Sequence, residues 1–171
     1  MKLYILRHGI AVERGTRGFE NDADRPLTLK GEERMRAIAD AMEAMELEFD
    51  LILSSPYVRA RQTAEIVVDT FEARNMLQIS EHLASDGDPK KLIADLNRRK
   101  PEPKSVLLAG HEPYLSELVA MLISGNTSSS ILLKKGGLCK LSVETLKPGR
   151  CATLEWLLTP KQMLLMTGKK E

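Results

Sequence analysis

Three short apolar runs constrain this chain most: "LYIL" (3–6), "DLILSS" (50–55) and "SVLLAG" (105–110). Runs this short, rich in Ile, Leu and Val and bounded by polar residues, have the length of buried strands rather than helices. Segments of helical period fill the gaps between them. In 28–45 the apolar residues Met35, Ile38, Ala39, Met42 and Met45 recur at spacings of three and four, which predicts an amphipathic helix with Thr28 as its N-cap. A second helix is expected over 55–75, with Ser55 as cap and Pro56 in the first turn, and a third over 88–99, capped by Asp88. A fourth is expected over 112–124, again with a proline in its first turn. Strand–helix alternation of this kind implies a mostly parallel sheet covered on both faces. The last third changes character: 131–146 and 151–158 read as strands joined at "KPGR", an antiparallel hairpin, followed by a short helix over 159–167. The expected fold is therefore α/β, a three-layer α/β/α sandwich whose mostly parallel central sheet carries a C-terminal antiparallel hairpin. A single domain is expected over 1–171, because "KPEPK" (100–104) is too short to divide domains.

Composition narrows the function classes. The 171 residues carry a net charge of +1, too small a field to gather nucleic acid or anionic lipid. No apolar run approaches the roughly 18 residues that a membrane span requires, and the apolar start of "MKLYILRHG" is too short for a signal peptide. Cys139 and Cys151 form no C-x-x-C pair. A cytoplasmic, reduced protein is expected, with no nucleic-acid or membrane partner and buried thiol packing for both cysteines.

The three apolar runs share a second property, in that each ends in polar residues just before a turn or helix. The first ends in Arg7-His8-Gly9, the second in Ser54-Ser55-Pro56, and the third in Gly110-His111-Glu112-Pro113. Ends of parallel strands lie on one edge of the sheet, where doubly wound proteins bind ligands. Arg7, His8 and His111 are thus expected to converge. Arg59, one turn into the second helix, can reach back to them, whereas Arg61 points about 200° away around the helix. Gln62 and Thr63 fall on the Arg59 side.

Two arginines, two histidines and helix N-termini together make an anion site, because the guanidinium fork matches phosphate oxygens and helix N-termini present free N–H groups. A histidine held at a strand end can attack phosphorus or move protons. Other phosphate chemistries lack their residues. There is no G-x-x-x-x-G-K-[ST], neither cysteine is followed six positions later by Arg, and "DAD" (22–24) does not follow an apolar strand. No His or Asp cluster has metal-ligand spacing, so the expected chemistry uses neither metal nor cofactor.

Taken together, "LRHG" (6–9), "RPLTLKG" (25–31), "SSPYVRARQTA" (54–64) and "GHEP" (110–113) resemble the motifs of the histidine phosphatase (phosphoglycerate mutase-like) superfamily. The chain looks most similar to its short SixA-type phosphohistidine phosphatases. The resemblance implies that His8 is the nucleophile and that Arg7, Arg59 and His111 bind the phosphoryl group. It also implies a phosphorylated histidine-containing protein as partner, since the segment from about 76 to 104 leaves little room for a cap over the site. The alternative reading is a phosphomonoesterase acting on a small phosphorylated metabolite. Relatives that cleave esters carry a carboxylic acid after the second helix, and Glu81 and Asp86 are the candidates here, with Asp88 occupied as a helix cap. A phosphohistidine substrate needs that acid less, because its imidazole, of pKa about 6.5, can leave already protonated. A non-catalytic phosphoprotein-binding module would have no need of a free histidine nucleophile.

The remaining residues have plainer readings. Arg25 and Arg61 are read as ion-pair residues rather than phosphate ligands, His82 as incidental, and Ser128–Ser130 as a polar turn. The charged stretch from Gly9 to Pro26 is either a solvated loop or a rim that contacts the partner. A monomer or weak homodimer is expected.

Overall fold

The computed structural model of the protein describes residues 1–168. Within them lie six strands, β1 (Lys2–Arg7), β2 (Leu51–Ser54), β3 (Leu77–Ile79), β4 (Ser105–Gly110), β5 (Leu138–Val143) and β6 (Ala152–Leu158). Five helices accompany them: α1 (Leu29–Ala44), α2 (Val58–Thr70), α3 (Pro89–Arg98), α4 (Tyr114–Ser124) and α5 (Pro160–Met166). The strands form one sheet in the order β3-β2-β4-β1-β5-β6. β3, β2, β4 and β1 run parallel, and β5 and β6 are antiparallel additions.

Strand side chains alternate between the two faces, so each central strand feeds two cores. Leu3, Ile5, Leu51, Leu53, Val106 and Leu108 pack with α3 and α4 on one side. Tyr4, Leu6, Ile52, Leu107 and Ala109 pack with α1, α2 and α5 on the other. This explains why the central runs read as continuously apolar, because both faces of these strands are covered. The result is the α/β/α sandwich expected from the alternation, with its C-terminal hairpin.

Two helix caps, Thr28 and Asp88, are those the sequence predicts, and a third lies at Thr159. Thr28 accepts from the Gly31 N–H, Asp88 from the Lys90 and Lys91 N–H groups, and Thr159 closes a capping box with Gln162. The second helix departs from expectation. It begins at Val58 and has no side-chain cap. The hairpin's first strand begins at Leu138 rather than 131, because Gly136 and Gly137 turn back onto the end of β1. The Gly136 N–H donates to the carbonyls of Arg7 and His8, and the Arg7 N–H donates to the Gly137 carbonyl. β3, three residues long, has no strand signature in the sequence.

Candidate active site

Register brings the chemistry to one edge. Arg7 lies opposite Gly110 in the β1–β4 pair, and Ser54 opposite Ala109 in the β2–β4 pair. The residues that follow these strand ends, His8, Ser55 and His111, therefore emerge side by side. The His8 and His111 rings stand 5.1 Å apart between centroids. Arg59 reaches back from the first turn of α2 and is only 2% exposed. Its Nε donates to His8 Nε2 at 3.3 Å. Arg7, His8, Arg59 and His111 line one cavity of about 320 Å³. The four residues singled out from strand ends and the helix turn thus meet in space.

His8 is held as one tautomer. Its Nδ1 lies 2.7 Å from the Gly9 carbonyl, which can only accept, so Nδ1 carries the proton and Nε2 keeps its lone pair. Gly9 is itself fixed, since its N–H donates to Thr63 Oγ1, whose hydroxyl donates to the Arg59 carbonyl. A Cβ at Gly9 would sit 2.6 Å from Met35 Cγ, so glycine is what lets this peptide lie against α1. Burial pushes the His8 pKa down to about 2, with the charges of His111, Arg59 and Arg7 acting in the same direction and the Gly9 bond opposing them. His111 is lowered to about 3, first by burial and then by Arg59. Both imidazoles are therefore neutral at physiological pH.

Ser55, expected as a helix cap, instead serves His111. Its Oγ accepts from the Tyr57 N–H and lies 2.7 Å from His111 Nε2. The arrangement that satisfies both groups has the hydroxyl donating to Nε2, which places the His111 proton on Nδ1, a buried nitrogen without a hydrogen-bond partner. Arg7 is braced through Nη1 on the Leu133 carbonyl, and its Nε is likewise buried and unpartnered. Two donors of the cavity-lining residues thus await an acceptor.

The loop between Gly9 and Pro26 contributes a residue that sequence reasoning did not single out. Asp22 accepts from Arg59 Nη2 at 2.8 Å through its carboxylate, while its backbone carbonyl accepts from Arg59 Nη1 at 2.6 Å. The same carboxylate pairs with Arg14 and Arg25. Burial raises the Asp22 pKa, but hydrogen bonds from Arg25, Arg14 and Arg59 together outweigh it and hold the carboxyl well below the usual range. The hint in the sequence was a lone acidic turn between arginines at 14, 17 and 25. Arg25 lines the cavity as well as pairing with Asp22, whereas Arg61 pairs with Glu65 on the exposed face of α2.

Glu81 and Asp86 are not among the cavity-lining residues. The 3-10 turn at Glu81–Leu83 and the residues after it bury Leu83 and Ala84 under the sheet edge, which turns Glu81 and Asp86 outward to solvent and leaves Ser85 facing the cavity. Asp88 caps α3, as expected, and His82 lies 3.4 Å from Asp95. The carboxylates that do line the cavity are Glu13 and Glu112. Among the described residues, no three or more His, Cys, Asp or Glu side chains gather so as to hold a metal ion, and no helix is long and apolar enough to cross a membrane.

Residues 3–84 match the sequence model of the histidine phosphatase superfamily (branch 1). A phosphohistidine phosphatase SixA homolog from Haemophilus influenzae is 32% identical over 71% of this chain and 77% of its own length. Phosphohistidine phosphatase SixA from Escherichia coli K12 is 29% identical over 94% of both chains. The structure of the protein histidine phosphatase SixA complexed with tungstate superposes with a TM-score of 0.76 at 28% identity, covering 94% of this chain and 97% of that one. The fold alone is shared with an alpha-ribazole phosphatase from Shigella flexneri, at a TM-score of 0.73 and 20% identity, covering 94% of this chain and 97% of that one. The motifs at three strand ends, the cavity they build and these likenesses agree: the chain belongs to the histidine phosphatase superfamily and is a phosphatase similar to SixA.

Proposed function

We propose that the protein removes phosphate from phosphohistidine on a partner protein, through a covalent phosphohistidine on His8 and without a metal. The observation that carries the reading is the fixed His8 tautomer, with a free Nε2 lone pair inside a cavity lined by arginines. In the first step Nε2 attacks phosphorus, and the phosphoryl group takes the place of the hydrogen bond from Arg59 Nε. The P–N bond to the substrate breaks, and its electron pair stays on the leaving imidazole nitrogen. In the second step water attacks phospho-His8, releasing phosphate and restoring the lone pair on Nε2. Arg7 Nε, Arg59 and the His111 Nδ1–H donate to the equatorial oxygens, aimed in advance at developing charge. Tungstate, the ligand in the SixA structure, is a tetrahedral oxyanion like phosphate, which supports this use of the cavity.

The segment between β2 and β4 favours a protein substrate. Beyond α2 it contributes β3 to the sheet and Leu92, Ile93 and Leu96 of α3 to the core, and of these residues after α2 only Ser85 lines the cavity. The phosphomonoesterase alternative needs a general acid, and neither candidate from the sequence, Glu81 or Asp86, lines the cavity. The test compares rates on a phosphohistidine protein, a phosphoserine peptide and sugar phosphates, with rapid-quench trapping of an acid-labile phosphoenzyme. Phosphohistidine should be the best substrate, and His8→Ala should abolish both turnover and trapping. Faster turnover of sugar phosphates, or turnover by His8→Ala, refutes the proposal.

A further inference from the structure

Glu112 has no role in the steps above. It follows His111 at the end of β4, in the half-buried lead-in to α4. It lines the cavity together with Arg7, His8 and His111. Its Oε1 is buried with no hydrogen-bond partner. A carboxylate oxygen shielded from water without a donor is unfavourable, and such an atom in a cleft marks a place for a ligand donor. Arg7, whose guanidinium feels the charge of Glu112, does not satisfy it. No ion pair joins the two, although the negative charge of Glu112 favours the charged guanidinium. A phosphoryl oxygen cannot serve, because it too only accepts. The missing partner is therefore an N–H or O–H donor on the part of the substrate that is not phosphate.

We propose that Glu112 is a catalytic residue selective for phosphorus–nitrogen cleavage, its Oε1 accepting a hydrogen bond from the N–H of the phosphorylated imidazole. This rests on the functional reading above and specifies how that substrate class is recognised. A phosphoimidazole bears phosphorus on one nitrogen and, when protonated, hydrogen on the other. Attack by His8 Nε2 breaks the P–N bond, and the electron pair remains on the nitrogen that carried phosphorus. The proton on the far nitrogen stays where it is, hydrogen-bonded to Glu112, and the leaving group departs as neutral imidazole. No proton has to move, which accounts for a site without an acid from the Glu81–Asp86 turn. A serine or sugar phosphate ester offers no such N–H and leaves Oε1 without its donor.

The experiment measures kcat/KM of the native protein and Glu112→Gln on three substrates: a histidine peptide phosphorylated with phosphoramidate, a phosphoserine peptide, and p-nitrophenyl phosphate, whose leaving group needs neither acid nor N–H. Loss of a charge-assisted hydrogen bond should lower the phosphohistidine to p-nitrophenyl phosphate ratio by roughly 10- to 100-fold. The fall should appear in the rate of phosphoenzyme formation and not in the rate of its hydrolysis, which no longer involves the imidazole. Glu112→Asp should recover part of the ratio. An unchanged ratio overturns the assignment. Equal losses on phosphohistidine and p-nitrophenyl phosphate also overturn it, and show Glu112 acting through Arg7. A selective loss on a phosphoserine peptide overturns it by identifying a proton donor to ester oxygen. A native protein that hydrolyses p-nitrophenyl phosphate but leaves phosphohistidine intact is a failure of the functional reading, visible before any variant is made, and this assignment falls with it.

Discussion

Thr63 links the two halves of the site, and replacing it tests the geometry most directly. The side chain is fully buried in α2. Its Oγ1 accepts from the Gly9 N–H at 3.0 Å and donates to the Arg59 carbonyl at 2.7 Å. Thr63→Val preserves volume and removes the hydroxyl. The Arg59 carbonyl is a helical acceptor and loses little, but the Gly9 N–H is left buried without a partner, at about 1–3 kcal/mol. For a domain of this size that corresponds to a fall in Tm of roughly 3–10 °C. The catalytic effect follows from the Gly9 carbonyl, which fixes the His8 tautomer and ring. If this peptide moves, Nε2 leaves its line to phosphorus, and misplacement on the order of 1 Å costs up to about 100-fold in rate. Thr63→Val should therefore lower kcat about 10- to 100-fold with little change in KM. Thr63→Ser is the control: it keeps the hydroxyl and loses a methyl group, at about 1 kcal/mol. Thermal melts and single-turnover phosphoenzyme formation distinguish the two variants. Should Thr63→Val keep full kcat, or Thr63→Ser lose as much as Thr63→Val, the positioning argument is wrong.

Three further outcomes follow from the same structure. His111 titrates near its ordinary 6.5 when unfolded and only near 3 when folded, so the unfolded state binds more protons below pH 6.5 and this contribution to stability declines as pH falls through that window. His8 is lowered in the same way, so urea titrations at pH 7 and 5 should show a loss of about 4 kcal/mol from the two imidazoles together, and His111→Gln should remove about half of it. Gly31→Ala gains helix propensity but places a Cβ 2.0 Å from the Ile10 carbonyl oxygen, which also accepts from the Thr28 N–H, so a net destabilisation of about 1–3 kcal/mol should appear in denaturant unfolding. Arg61→Ala removes only an exposed 3.5 Å pair with Glu65 and should change stability by less than about 0.5 kcal/mol and leave oxyanion inhibition by tungstate intact, whereas Arg59→Ala should weaken that inhibition by at least about 10-fold.

The site was partly legible before the fold was known because its principal residues sit at element boundaries. Arg7, His8 and His111 end apolar runs, and the β1–β4 register carries them to one edge. Arg59 was separable from Arg61 by helical angle alone. The supports of those residues were not legible, for want of any local pattern. Ser55 precedes a proline at a strand–helix junction and looks like a cap, yet the hydrogen bond that fixes its use comes from His111, far along the chain. The Leu133 carbonyl that braces Arg7 lies 126 residues away. Asp22 sits in a charged stretch that reads as solvated loop until the fold brings it against a buried guanidinium. The acid candidates Glu81 and Asp86 rest on position along the chain alone, and the burial of Leu83 and Ala84 turns them to solvent.

By itself, then, the sequence determined the α/β alternation, two of the helix caps and the four residues that meet around the cavity, because periodicity, capping chemistry and strand-end placement are local properties of the chain. Only the tertiary structure decided which nitrogen of His8 is free, which oxygens hold Arg59, and which carboxylates line the cavity. Those outcomes depend on partners distant in sequence and on burial that no local spacing encodes: a hydrogen bond or an orphaned Oε1 exists only once packing has excluded water and brought the two groups, or only one of them, to the same place.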